Sequence, residues 1–349
     1  MKVLILHPTF RVYGGAELAI SKLSSYLIEN GHLVDIYTLE ASDKVREECK
    51  AKLKVFPSVL ALRKELHNVY REYDIVNSHN HPMETLLYPV KHKHVWNHNE
   101  LPEYVLWGSP LSLYDRNSVL KTVDRIIVFS EYNRKVVKEY YGMESTVIPF
   151  GVDSELFDRS KANPDRVKEL GVSDDDFLIC HPGWMSPFKN QLRTLLLYHN
   201  LKDKIPNIKI LFTGMVNTRY AELVADAAKY LGNEDIIIHK EIGREILRDI
   251  YARSDVVVIP YRVQGGFLSA FQAMAMECNV IVSPEAPFID LVAKHHLALI
   301  TDDFETAVYN LYRGEIELPK NREWIKGNLT WNRYGERIEA VFKEVCSSV

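Results

Sequence analysis

Two paired glycines stand where a phosphate could be held. In "DVVVIPYRVQGGFLSAFQAMAMECNVIVSP" (255–284) a β-branched apolar run is followed by a short loop and then by a helical run with apolar residues on every turn. Gly265 and Gly266 open that helix. A first helical turn offers free N–H groups and the positive end of the dipole, here from Phe267 and Leu268, and glycine lets an anion approach the backbone closely. Gln264 and Gln272, eight positions apart, flank the glycines with amides that can bond hydroxyl groups but carry no charge. A second pair, Gly14 and Gly15 in "YGGAE" (13–17), sits between the first apolar run and the first helical one. The spacing is not G-x-G-x-x-G, so a dinucleotide fingerprint is absent. Read singly, paired glycines make a tight turn and glutamines bond locally or to water. Two such loops, one in each half of the chain, point to one diphosphate clamped between them.

Other residues suit the same ligand. Lys189 in "SPFKN" (186–190) is a flexible ammonium of the kind that meets phosphate as a point charge. His79 ends the run "DIVNSH" (74–79) and His98 ends "HVWNH" (94–98), with Glu100 two residues on. His81, His92 and His94 make the segment rich in histidine, but His94 and His98, four apart, fall in a strand-like run and not on a helix, and no metal is expected. Read alone, each histidine is one satisfied by backbone. The acidic run "SDDD" (173–176) reads as a solvated charge run.

The elements that would carry these residues alternate between strand and helix. Apolar runs at 2–7, 33–39, 74–79, 94–98, 125–130 and 146–150 form one series, and runs at 177–182, 208–214, 235–240, 255–261, 279–284 and 297–301 form a second. Such alternation predicts parallel sheets in α/β domains, whose ligands bind beyond the carboxyl ends of the strands. Between the series, 151–176 is polar and reads as a linker with one short helix. A chain of 349 residues exceeds one core, and two domains of roughly 150–180 residues are expected. The C-terminal "TWNRYGERIEAVFKEV" (330–345) has Ile338, Val341, Phe342 and Val345 on one face of a helix.

Composition narrows the class. The chain is 46% hydrophobic and 26% charged with a formal net charge of −4, which does not suggest a nucleic-acid partner. Four scattered cysteines without C-x-x-C spacing argue against a zinc site or a disulfide framework and for a reducing compartment. No apolar stretch approaches the roughly 18 residues of a membrane span, so a cytoplasmic location is expected. "LRKELHNVYREY" (62–73) is basic and amphipathic; an ordinary solvated helix is the reading, with peripheral membrane contact as its alternative.

Taken in order, "GGAE", "FSEYNRK" (129–135), "VIPFGVD" (147–153), "SPFKN", "DVVVIPY" and "AFQAMAMECNVIVSP" (270–284) resemble the retaining GT-B glycosyltransferases of family four, the glycosyl transferases group 1. The resemblance covers most of the chain. It implies two Rossmann-like doubly wound domains facing a central cleft: an acceptor domain over 1–155, a donor domain over 156–325, and a helix in 326–349 that packs back on the first. It implies transfer of a hexose-type sugar from a nucleotide diphosphate sugar to a glycan, lipid-linked or small-molecule acceptor, without a metal or any cofactor beyond that co-substrate. A lipid-linked acceptor would bring the protein to the inner face of a membrane. By the same resemblance His98, Lys189 and Gln264 are catalytic. Gly14, Gly15, Gly183, Lys189, Ile242, Gly265, Gly266, Phe267, Leu268 and Gln272 bind the donor, and His79 and Glu100 meet the acceptor or sugar.

The chain departs from the pattern at the donor. The family has two glutamates eight apart where Gln264 and Gln272 stand, and an arginine where Trp184 follows Gly183. The departures leave two functions to separate: an active transferase, or a weakened relative that binds a nucleotide sugar or glycan as a partner subunit. The oligomeric state is left open.

Overall fold

In the computed structural model the structure describes residues 1–10, 14–99, 112–214, 219–232, 234–239, 242–263, 265 and 267–348. The chain divides into two compact units, Met1–Gly151 with Trp331–Val349, and Val152–Thr330. Each is built on one parallel sheet with helices on its faces.

The first unit has seven strands: β1 (Lys2–His7), β2 (Leu33–Thr38), β3 (Lys52–Val55), β4 (Ile75–His79), β5 (His94–Asn97), β6 (Arg125–Val128) and β7 (Ser145–Val147), in the order β3-β2-β1-β4-β5-β6-β7. The second has β8 (Phe177–Pro182), β9 (Ile208–Thr213), β10 (Ile236–His239), β11 (Val256–Ile259), β12 (Val280–Val282) and β13 (Leu299–Ile300), in the order β10-β9-β8-β11-β12-β13. Central strands such as Val3–Leu6 and Val256–Ile259 are fully buried, as continuous apolar runs must be when helices cover both faces. The order of each sheet reverses between two strands, β1 and β4 in one and β8 and β11 in the other. Register there sets Leu6 opposite Ser78 and Cys180 opposite Val257, so the loops leaving these four strands open at the same edge of their own sheet. That edge is where ligands of doubly wound sheets bind.

Two features differ from the sequence reading. β3, with sequence KLKV, was not among the expected strands; it is a four-residue edge strand whose lysines face out, so it lacks an apolar run. The expected linker 151–176 is packed into the second unit. Phe157 and Val167 are fully buried, and the short helical pieces Arg159–Lys161 and Pro164–Leu170 are 3-10 turns. Arg322 donates to the carbonyls of Ser154, Phe157 and Ala275 and to Asp158, while Arg166 and the Asn163 amide meet the buried Asp249. Within the acidic run, Asp176 is buried and accepts from the Ser173 amide at 2.6 Å, so it caps a turn.

The helix Trp331–Ser347 belongs to the first unit. It buries Trp331, Tyr334, Ile338, Val341, Phe342 and Val345. Gly335 lies so close to Tyr26 that a Cβ there would fall 2.3 Å from the ring. Glu339 accepts from Tyr26 Oη at 3.2 Å and pairs with His32 Nε2 at 2.8 Å.

Candidate active site

Around the end of β8 the backbone is laid down without room for side chains. Gly183 has φ +103°, and a Cβ there would sit 3.0 Å from the Tyr261 hydroxyl. Gly214, just beyond β9, has φ +139°, and its Cβ would lie 2.5 Å from the Gly183 carbonyl oxygen. Only glycine fits that approach. The following loop is held from below by Gln191, fully buried, whose Nε2 donates to the Trp184 carbonyl at 2.8 Å and whose Oε1 accepts from the Ser186 amide at 3.3 Å. Ser186 Oγ in turn accepts from the Lys189 amide at 3.3 Å.

Lys189 is therefore aimed by its loop. Its Nζ stands 3.9 Å from the centroid of the Tyr261 ring, and a Cβ on Gly265 (φ +62°) would come within 3.3 Å of it. Gly265 shortly precedes the helix Phe267–Ala275, whose first turn contains no acid. Among the described residues no carboxylate pairs with Lys189, and burial pushes its ammonium down to about 7 although part of the side chain still meets solvent. A desolvated cation without a counter-ion is unstable, and an anion at the same spot restores its charge. The structure thus brings Gly183, Lys189, Gly265 and the helix start together. Gln272 is 7% exposed on the second turn of that helix. Ile242 is half-buried ahead of the helix Arg244–Arg253. Gln264 and Gly266 lie outside the described residues. Trp184, in the arginine's place, is 56% exposed.

Gly214, Gln191, Tyr261 and His181 escaped the sequence reading. His181 is fully buried with Nδ1 2.7 Å from Thr194 Oγ1, and burial, then the Lys189 charge, hold its imidazole down to about 3. The glycine closing "FTG" is the one signal that was available; a buried glutamine or tyrosine supporting a loop has none.

In the first unit Gly14 caps the helix Gly15–Glu29, but Glu17 folds back over it: a Cβ on Gly14 would lie 2.4 Å from Glu17 Oε2. Glu17 Oε1 also stands 3.4 Å from His7 Nε2. This helix start carries its own carboxylate, unlike that of Phe267–Ala275. His79 is fully buried, with Nε2 2.8 Å from Asn77 Oδ1. Asn77 donates to Asn97 Oδ1 at 2.8 Å, and Asn97 to Tyr334 Oη at 3.4 Å. Burial, then His7, keeps His79 well below the usual imidazole range. His98 is buried with its ring stacked 4.6 Å from Trp96, and burial holds it down to about 4. Both imidazoles are neutral at pH 7 and suited to hydrogen bonding. Glu100 lies outside the described residues.

The remaining histidines of the segment go to separate partners: His94 to Ser78 Oγ at 2.7 Å, His92 to the Tyr73 carbonyl at 3.0 Å, and His81 to Glu84 at 2.7 Å. His81, Glu84 and Asp115 form a group of potential metal ligands with one ligand atom from each within 4.8 Å of the others. Burial pushes the Glu84 carboxyl up to about 8. Burial also pushes Asp115 up, but its neighbours His81, Glu84 and Tyr141 outweigh that and leave it below its ordinary value. No helix among the described residues is long and apolar enough to cross a membrane.

The family model described as Glycosyltransferase Family 4 matches residues 13–156, and that described as Glycosyl transferases group 1 matches 163–311. A lipopolysaccharide 1,2-N-acetylglucosaminetransferase of Salmonella typhimurium is 24% identical over 238 residues, 63% of this chain and 62% of that protein. The chain thus spans less than two thirds of that relative's length. Among solved structures, Alr3699/HepE of Anabaena, in complex with UDP and glucose, is 15% identical with a TM-score of 0.82 over 99% of this chain and 100% of that one. A glycosyltransferase from Rickettsia africae is 15% identical with a TM-score of 0.76 over 100% and 99%. At such identity these likenesses show the fold. With both units matched by family models and both sheets in doubly wound order, the chain belongs to family 4 of the GT-B glycosyltransferases.

Proposed function

We propose that the protein transfers a sugar from a nucleotide diphosphate sugar to a glycan, lipid-linked or small-molecule acceptor, with retention at the anomeric carbon. The observation that carries this reading is Lys189, an ammonium without a carboxylate partner among the described residues, held beside Gly265 near the start of the helix Phe267–Ala275. As the bond from the anomeric carbon to the diphosphate oxygen breaks, negative charge grows on the leaving diphosphate. Lys189 and the first-turn N–H groups of Phe267 and Leu268 are fixed donors for that charge. The acceptor oxygen bonds to the anomeric carbon from the face the leaving group departs, and its proton passes to the diphosphate. No metal is invoked in this step, and the nucleotide sugar is the sole co-substrate.

Gln272 bonds the ribose and Gln264 the donor sugar through neutral amides; these bonds are weaker than those a carboxylate would accept. The first unit takes the acceptor, with neutral His79 and His98 as hydrogen-bonding groups. UDP and glucose in the Anabaena neighbour, and the N-acetylglucosamine of the Salmonella relative, name the first donors to try. A cytoplasmic location, at the membrane face where the acceptor is lipid-linked, fits the reaction.

The test is a calorimetric and turnover screen of UDP-glucose, UDP-N-acetylglucosamine and other nucleotide sugars, with product configuration read by NMR. Binding with slow hydrolysis or transfer that retains configuration supports the proposal. Binding without either reaction on any donor supports a partner-subunit role, and absence of binding overturns both.

A further inference from the structure

The loop after β4 holds a second charged group that none of the steps above uses. His81 lies just before the turn Met83–Thr85 and Glu84 within it, and Asp115 lies on the helix Ser112–Thr122. Glu84 and Asp115 are buried, with 0% and 1% of their side chains exposed, while His81 keeps 22%. Three contacts account for part of the group: His81 Nδ1 to Glu84 Oε1 at 2.7 Å, His81 Nδ1 to Asp115 Oδ1 at 3.7 Å, and Tyr141 Oη donating to Asp115 Oδ2 at 2.8 Å. Glu84 Oε2 is in none of these contacts and is buried without a hydrogen-bond donor, and Asp115 Oδ1, beyond hydrogen-bond distance of His81, is buried without one too. No lysine or arginine among the described residues pairs with either carboxyl.

A buried carboxyl needs a paired cation, a proton or full hydrogen bonding, and Glu84 Oε2 is buried here without a donor. One nitrogen and two carboxylate oxygens from three side chains form the donor set of a zinc site with an open position, and manganese accepts the same mixture. The ligand atoms lie within 4.8 Å of one another. Metal–ligand distances of about 2.0–2.2 Å would require them to draw in by roughly an ångström. The partly exposed His81 marks the side from which an ion and its waters could enter.

We propose that His81 Nδ1, Glu84 and Asp115 bind one divalent cation, zinc or manganese, which ties the loop after β4 to the helix Ser112–Thr122. The same loop continues from His79, and its Asn80 accepts from Asn99 Nδ2 at 2.9 Å, so the cation would set the backbone between β4 and the segment after β5. The inference does not rest on the transfer reaction. Its ligands are protein atoms, and it can be tested with no nucleotide sugar present.

The experiment strips the whole protein with a chelator and titrates it calorimetrically with zinc chloride and with manganese chloride, with melting followed in parallel. Glu84→Gln, His81→Ala and His92→Ala are compared, each checked for native circular dichroism. One equivalent of one metal is expected, raising the melting temperature. Binding should weaken by at least about 10- to 100-fold in Glu84→Gln and His81→Ala, and stay unchanged in His92→Ala. If Glu84→Gln fails to fold, His81→Ala, on the exposed side of the group, decides. No saturable binding would mean that a shared proton serves the two carboxyls and would overturn the site. Equal binding by wild type, Glu84→Gln and His81→Ala would overturn it too, as would loss in His92→Ala, which indicates adventitious capture by other histidines.

Discussion

Lys189 carries the strongest functional signal of any single residue, and four expectations attach to its loop. Lys189→Ala should weaken binding of a nucleoside diphosphate by about 10- to 100-fold, the range for a charge-assisted contact, as measured by calorimetry. The same site should respond to pH. Burial lowers its ammonium to about 7 from 10.5, so the free site sheds its charge as pH rises through about 7, and diphosphate affinity should fall from pH 6 to 8.5. The diphosphate's own titration is common to wild type and Lys189→Ala, so the difference between their profiles isolates the lysine; parallel profiles would show that Lys189 does not face the ligand. Stability has the opposite sign. Between about 7 and 10.5 the unfolded chain holds a proton that the folded site has released, so this group makes the fold more stable as pH rises across that window. Trp184→Arg supplies a second cation on a loop whose backbone Gln191 already fixes. It should tighten nucleoside diphosphate binding by about 10-fold, and unchanged affinity would mean that position 184 points away from the phosphates.

At the scale of elements, what could be read in advance followed apolar runs and punctuation. Central strands such as β1 and β11 were legible because they are buried on both faces and so read as Val, Ile and Leu runs, and the loops leaving β8 and β11 were marked by glycine next to apolar runs. β3 was not legible, because an edge strand buries one face and spends the other on lysine. The packed segment 151–176 was hidden for a different reason: Arg322, more than 140 residues later, satisfies its carbonyls, and no local pattern announces a partner that distant. In the site the contact-making groups were visible as types, whereas Gln191, Tyr261 and Gly214 act through tertiary contacts. Glu17 shows the limit of motif reading, since "GGAE" looked like an open phosphate loop and its own acid folds over the glycine. The helix Trp331–Ser347 gives an element-scale test. Gly335→Ala would place a methyl 2.3 Å from the Tyr26 ring and force the two helices apart. We expect a loss of about 1–3 kcal/mol in denaturant unfolding, with Ser347→Ala near zero as the exposed control on the same helix.

At the scale of the whole molecule, the chain leaves the first unit after Gly151 and comes back to it at Trp331, so the second unit is one continuous stretch and the first is not. The returning helix supplies Tyr334 to the Asn77–Asn97 network beside His79, Glu339 to Tyr26 and His32, and six buried side chains from Trp331 to Val345. Each fully buried large apolar side chain is worth about 1.5–3 kcal/mol, so their joint loss exceeds the whole stability of an ordinary domain, about 5–15 kcal/mol, at the upper end of these ranges and a large part of it at the lower. A fragment of residues 152–330 should therefore unfold cooperatively by itself, while 1–151 should not, although it holds all seven strands of its sheet. Adding a separate peptide of residues 328–349 to the 1–151 fragment should restore cooperative melting and near-ultraviolet circular dichroism. Cooperative melting of 1–151 alone would show that the helix Trp331–Ser347 is dispensable to the first unit.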